Sequence, residues 1–174
     1  MAATAAPRGT PASPDRSSAG YDEEGQPLAE YGGLLAAFAT ILSVGAVAAR
    51  RQGRLPERVR AHDIVLGGVA THKLARLVAK DKVTSVVRAP FTRREEETGP
   101  TEVEEQPRGH GLRYVVGELL LCPFCLAQWM AAAYVFGLVF APRITRLVAA
   151  MMAVVGLSDF LQVAYKAAEN RRQG

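Results

Sequence analysis

Two cysteines stand three residues apart, Cys122 and Cys125, and the 174-residue chain has no others. A dithiol at this spacing can cycle through a disulfide by exchange with a partner, or give two thiolates to a metal. Pro123, directly after Cys122, suits a helix whose N-cap is Cys122. The sulfur would then lie by unpaired backbone N–H groups at the positive end of the helix dipole, which favours the nucleophilic thiolate. Cys125 would sit one turn on, as the resolving thiol. If the apolar helix instead runs unbroken from Leu119, Cys122 is interior, desolvation disfavours its thiolate, and both cysteines are small packing residues. Zinc needs two further ligands. His62, His72 and His110 show no ligand-pair spacing, so a dimer would have to complete a four-thiolate site. No metal ligand set and no cofactor motif is assigned; the chain lacks a Gly-rich phosphate loop, a G-x-S-x-G and an H-E-x-x-H.

The second chemistry-bearing group is cationic. On a wheel of about 100° per residue, His72, Lys73, Arg76 and Lys80 fall on one face and Leu74, Ala75 and Val78 on the other. An amphipathic helix with a basic face can lie at the headgroup level of a membrane or lean on other helices. Crossing it would require shelter for those cations. Contacts with anionic lipid or a partner are expected from Lys73, Arg76, Lys80, Asp81, Lys82 and Arg88. Within this set Lys73 and Lys80 are read as lipid anchors and Arg76 as the residue paired inside the bundle. The pairs considered are Arg76 or Arg88 with Asp81 or Glu118.

The elements that must hold these groups are apolar. Mean hydropathy is close to neutral, which would fit a soluble protein, but the average hides a partition. Tyr31–Ala49 is 19 residues without a charge, followed by Arg50-Arg51. At about 1.5 Å per residue it covers the hydrocarbon core. Its Gly32, Ala36 and Thr40 form a small-residue face suited to close helix contact. Leu119–Ala141 is a second uncharged run, of 23 residues. Ile144–Tyr165 follows after a short turn and makes an antiparallel hairpin with it. Arg146 near one end can snorkel, and Asp159 near the other is read as interfacial, with a buried functional carboxylate as the alternative.

Residues 1–30, rich in Pro, Gly and Ser, and residues 92–111, with six Glu, lack the apolar surface to offset ordering and are expected to be disordered. The organisation expected is therefore a disordered tail 1–30, a first membrane helix 31–49, a membrane domain 62–165 interrupted at 92–111, and a basic tail 166–174. The fold class is all-α: a helical integral membrane protein with three to four membrane helices and disordered polar segments. No cleaved signal peptide is expected, because the first apolar run starts only at about Tyr31 and follows five acidic residues.

Three motifs, in order, carry a family resemblance. They are Lys73-Leu-Ala-Arg76-Leu77 running into Asp81-Lys82-Val83-Thr84, then Arg88-Ala89-Pro90-Phe91, then Cys122-Pro123-Phe124-Cys125 with Trp129 following. Over residues 62–165 the chain resembles the DUF1360 family, small bacterial membrane proteins of unknown function with sporulation-associated members. Lys73 stands where the family commonly has Arg. The resemblance implies membrane residence and names no reaction.

Charge placement bears on topology. If residues 62–80 do not cross, 17 of the 21 Lys and Arg share one side. If they do, the division is 12 against 7, with 2 inside the helix. The positive-inside rule favours the first arrangement: a multi-pass cell-membrane protein with its N-terminus outside and its C-terminus cytoplasmic. The expected partners are the bilayer, its anionic lipid, and a second copy or another membrane protein. Nucleic acid is not among them, because the basic residues track helix ends. The leading expectation is a non-enzymatic structural or partner-binding component; the alternatives are a thiol–disulfide protein using Cys122 and Cys125, and a metal-binding membrane protein. Two long uncharged runs predict that the protein fractionates with membranes and resists salt and carbonate extraction. Recovery in the soluble fraction without detergent would contradict the assignment.

Overall fold

Six α-helices and one two-stranded sheet make up the described part of the chain, residues 27–96 and 102–173, in the computed structural model. Helix α1 spans Leu28–Arg51, and its terminal arginines suit the negative end of its dipole. The chain turns at Gly53, where φ is +62° and a side chain would be strained. Helix α2 is Ala61–Lys80, followed by a 3₁₀ turn, Lys82–Thr84, and the one-turn α3, Ser85–Arg88. Strands β1 (Thr92–Glu96) and β2 (Glu104–Pro107) pair antiparallel. Then come α4 (Leu112–Leu121), α5 (Pro123–Phe140) and α6 (Pro142–Gln173). Pro123 and Pro142 each open a helix, where a missing N–H is harmless.

Helices α1, α5 and α6 are each long and apolar enough to cross a membrane. Their large side chains face outwards: Leu35, Val44, Leu147, Val154 and Phe160 are all more than half exposed. The buried positions are small instead, among them Ala49, Ala70, Ala75, Ala79 and Ala149. A bundle in water puts its large apolar residues inside; helices in lipid pack through small ones. This chain follows the second pattern.

The side-chain contacts fix the helix directions. Along α1 and α5 the numbers rise together: Tyr31 meets Glu118 just before α5, Phe38 packs on Trp129 with ring centroids 5.0 Å apart, and Gly45 lies under Phe136. These two helices are parallel. Helix α2 opposes α5, with Gly67 against Tyr134 and Ala75 and Ala79 against Leu126. It runs with α6, from Asp63 on Arg146 to Lys73 on Asp159. Helix α2 thus lies lengthwise in the bundle, not across its end. Of the two positions expected for it, this packing shows it leaning on the other helices.

Two further expectations are corrected. The Gly32/Ala36/Thr40 face makes no helix contact among the described residues: those residues are exposed, and the close approach is made at Gly45. Disorder across 92–111 fails for 92–96 and 102–111, where the hairpin forms and joins the end of α2 through Val103 N–H to Lys80 O at 3.2 Å. A polar strand can order here because its acids find cations, a pairing that composition does not show. The expected disorder of residues 1–26 and 97–101 lies outside the described residues.

Helix α4 presses on the hairpin at Gly117, where an added Cβ would stand 2.6 Å from the Phe91 carbonyl oxygen. Backbone cannot swing aside as a side chain can. Gly117→Ala should therefore lower stability in detergent by about 1–3 kcal/mol. Gly33→Ala, in α1 with nothing within 4 Å of the new methyl, should be neutral or mildly stabilising. Equal melting of the two variants would refute close docking of α4.

Candidate functional site

The 3₁₀ turn, α3 and the hairpin form a polar platform at the end of the bundle, built around one guanidinium. Arg88 is fully buried. Its Nε and Nη2 donate to the two oxygens of Glu105 at 3.1 and 2.8 Å, a bidentate pair. Nη1 donates to Val78 O at 2.5 Å and to Thr84 Oγ1 at 2.8 Å, and both terminal nitrogens reach Asp81 O at 3.1 Å. The Thr84 hydroxyl donates in turn to Leu77 O. Arg88 thereby binds the carbonyls that α2 leaves unpaired at its C-terminus, where a cation is also favoured by the dipole. Proline at position 90 ends α3 just beyond it.

Glu105 has only 5% of its side chain exposed. Besides Arg88 it accepts hydrogen bonds from Thr92 Oγ1 at 2.6 Å and Ser85 Oγ at 3.0 Å. Burial alone would push its carboxyl up, but the bonds from Arg88, Thr92 and Ser85 outweigh burial and hold it below the usual glutamate range. One ion pair therefore ties α2, α3, β1 and β2 together.

The other expected contact residues separate around this pair. Arg76 is not the residue paired inside: its side chain is 45% exposed and bonds Glu102 on the platform. Lys73, expected as a lipid anchor, is mostly covered and bonds Asp159 at 2.7 Å. Lys80 stands 3.6 Å from Glu104. Asp81 serves Arg88 through its backbone carbonyl, not its carboxylate, and Lys82 opens the 3₁₀ turn. Glu118 accepts a hydrogen bond from Tyr31, not from an arginine. At the opposite end of the bundle, Arg146 bonds both oxygens of Asp63 at 2.9 and 3.0 Å, and Tyr134 donates to Asp63 O at 2.8 Å. Asp63, Glu102 and Glu105 were not singled out by motif. For Glu105 the sequence holds no such signal, because its neighbours in Glu104–Pro107 are polar as well and the alternation lies in their burial.

The apolar helix does not run unbroken through Cys122. Pro123 disfavours helical backbone at the residue before it, and Cys122 is extended, at φ −96° and ψ 103°. Its sulfur accepts the Cys125 N–H at 3.2 Å as the cap of α5. Both thiols are free, and Cys125 is exposed. They share a cleft of about 490 Å³ with Tyr31, Leu34, Pro107 and Glu118. The geometry can support thiol exchange. Among the described residues no three His, Cys, Asp or Glu side chains converge as metal ligands.

Removing one partner of a buried pair strands the other. Glu105→Gln should cost about 3–5 kcal/mol in detergent melting, and Arg88→Lys should also be clearly destabilising because Lys cannot reproduce the fork. Arg76→Lys should be nearly silent. The Glu105 carboxyl is lower in the folded state than in the unfolded state, so its contribution is present above the ordinary glutamate range, about 4.3, and is lost as pH falls below it. The wild-type melting temperature should drop between about pH 5 and 3 by more than that of Glu105→Gln. Parallel pH curves would show that the pair is not formed.

Comparison with known proteins agrees with this geometry's extent. Over 102 residues the chain is 29% identical to sporulation protein YjcA of Bacillus subtilis, covering 57% of this chain and 86% of that protein. It is 26% identical over 99 residues to UPF0713 protein YngL of the same organism, covering 55% and 72%. No solved structure matches. The family described as protein of unknown function DUF1360 matches residues 66–165, which take in both the Arg88 network and the cysteine pair and leave out α1. This chain belongs to the DUF1360 family.

Proposed function

We propose that the protein is a non-enzymatic membrane component, crossing the bilayer four times and presenting its polar platform to a protein partner. The observation that carries this is the use made of the motif residues: Arg88 and the Asp81 backbone are spent on building the platform, with the Arg88 side chain fully buried in it. The outer surface of the platform shows Val83 and Val86 at 85% and 77% exposure. Apolar side chains held outward on a rigid polar frame suit a protein contact.

Four crossings are supported by the parallel course of α1 and α5, since the chain between them must return through the membrane. Helix α2 is the element that lies along that path. Both ends of the chain then fall on one face, together with the platform. This replaces the expectation of termini on opposite faces. With α2 crossing, that face holds 12 Lys and Arg against 7 on the other, which makes it the cytoplasmic one. One relative is a sporulation protein, so spore formation is the first process in which to seek a loss-of-function phenotype.

A second reading is favoured by the Cys122 cap. In it the Cys122 thiolate attacks a partner's disulfide, Cys125 resolves the mixed disulfide, and this chain's two thiols are oxidised while the partner's disulfide is reduced to two thiols. The test uses single cysteines on a Cys122→Ser/Cys125→Ser background, labelled by an impermeant maleimide in intact and in lysed cells. Ala29→Cys and Asn170→Cys should label only after lysis and Gln52→Cys before it. Opposite labelling of Ala29→Cys and Asn170→Cys would overturn four crossings. In the wild type, alkylation trapping in growing cells should find Cys122 and Cys125 reduced throughout; a disulfide that forms and disappears would favour exchange.

A further inference from the structure

The face of the bundle opposite the platform carries a cleft that none of the motifs account for. It is about 530 Å³ and lies where the 52–60 connection, α2 and α5 meet. That volume is in the range of ligand sites. Its mouth is formed by Arg54, Arg58 and Arg60, and its walls below by Ile64, Val135, Leu138 and Val139. Arg54 donates to Phe140 O at 3.0 Å, which fixes the connection against the end of α5. The Arg58 and Arg60 side chains make no hydrogen bond or ion pair to the described residues. The acid lining the cleft, Asp63, is already neutralised by Arg146, and Glu57 on the connection offsets one of the three arginines, so the mouth keeps a net positive charge.

Two adjacent glycines shape the wall. Gly67 is filled by the Tyr134 ring, whereas nothing stands within 4 Å of a Cβ at Gly68. The first glycine closes α2 on α5 and the second leaves an exposed stretch of helix without a side chain. Charge at the mouth and apolar surface bare of a side chain beneath it are complementary to one kind of molecule: an anionic head on a hydrocarbon chain. Arginine forks hold a phosphate through paired N–H groups, and their stems cover apolar surface while the heads stay at the interface.

We infer that this cleft is a site for one anionic phospholipid, its phosphate between Arg58 and Arg60 and an acyl chain along Gly68. This moves specific lipid contact from Lys73, Arg76 and Lys80, whose charges are met by Asp159, Glu102 and Glu104, to the other end of the bundle. It rests on α2 lying within the bilayer, which the maleimide labelling tests separately.

The full chain purified in dodecyl maltoside is titrated with palmitoyl-oleoyl phosphatidylglycerol or phosphatidylcholine, and retained lipid is counted by native mass spectrometry. One phosphatidylglycerol should be retained at least fivefold better than phosphatidylcholine. Arg58→Gln/Arg60→Gln should abolish that preference, and Gly68→Leu should cut retention with every charge intact. Arg50→Gln/Arg51→Gln, removing the same charge outside the cleft, should leave it unchanged. Glycerol phosphate, the head without chains, should not compete. Equal retention of the two lipids, equal losses from the two arginine pairs, or competition by glycerol phosphate would each overturn the proposal. A Gly68→Leu protein that retains lipid as the wild type does would also overturn it.

Discussion

No charge can be left alone away from water, and in this bundle that constraint decides which helix faces meet. Each ionic group drawn between the helices has a partner from another element: Asp63 with Arg146, Lys73 with Asp159, Arg88 with Glu105. The first two pairs lie some ten residues apart along α2 and set its register on α6. An uncompensated charge in a medium of low polarity costs several kcal/mol, far more than one misplaced apolar contact. Apolar packing among alanines and glycines is permissive about register. The ion pairs are not.

The same constraint explains why an acid-rich hairpin belongs to a membrane protein. Arg88 sits where α2 ends with unpaired carbonyls, and its own charge needs a carboxylate in reach. Glu105 supplies that carboxylate, and with it come β2, the Thr92 hydroxyl of β1, and through Gly117 the docking of α4. Helix α4 then leads directly to Cys122 and the start of α5. The platform and the cysteine-capped helix are thus joined in sequence and in space, and a change at Arg88 is linked to the thiols through the hairpin, its packing on Gly117 and helix α4.

Much of this was legible in the sequence. Two uncharged runs announce helices α1 and α5, and a long apolar run interrupted only by Arg146 and Asp159 announces α6, because length and apolarity decide whether a helix can leave water. Pro123 made a break at Cys122 one of two readings, and the extended backbone of Cys122 decides for it, because the proline ring constrains the residue before it. The basic face of α2 was legible as well, but not its surroundings. A helical wheel shows which side chains share a face and says nothing of what stands opposite, so Lys73 read as a lipid anchor until Asp159, 86 residues away, was placed beside it. Glu105 was hidden for a related reason. Glu-rich composition signals disorder when its charges are solvated, and only the fold reveals that one of them is buried against a guanidinium. Arg76 and Arg88 look alike in the motif; the difference between them is that Arg88 alone is placed under the end of α2.

The central claim is that α2 crosses the bilayer with Lys73, Arg76 and Lys80 each paired to an acid of another segment. Nitroxide labels at His62, Val65, His72 and Arg76, exposed positions on α2, can be placed one at a time in the protein reconstituted in phosphatidylcholine–phosphatidylglycerol vesicles. The relative collision rates with oxygen and with a polar nickel complex then give the depth of each. A crossing helix requires depth to rise from His62 to a maximum between Val65 and His72 and to fall again at Arg76. A single shallow depth along the whole helix would contradict it.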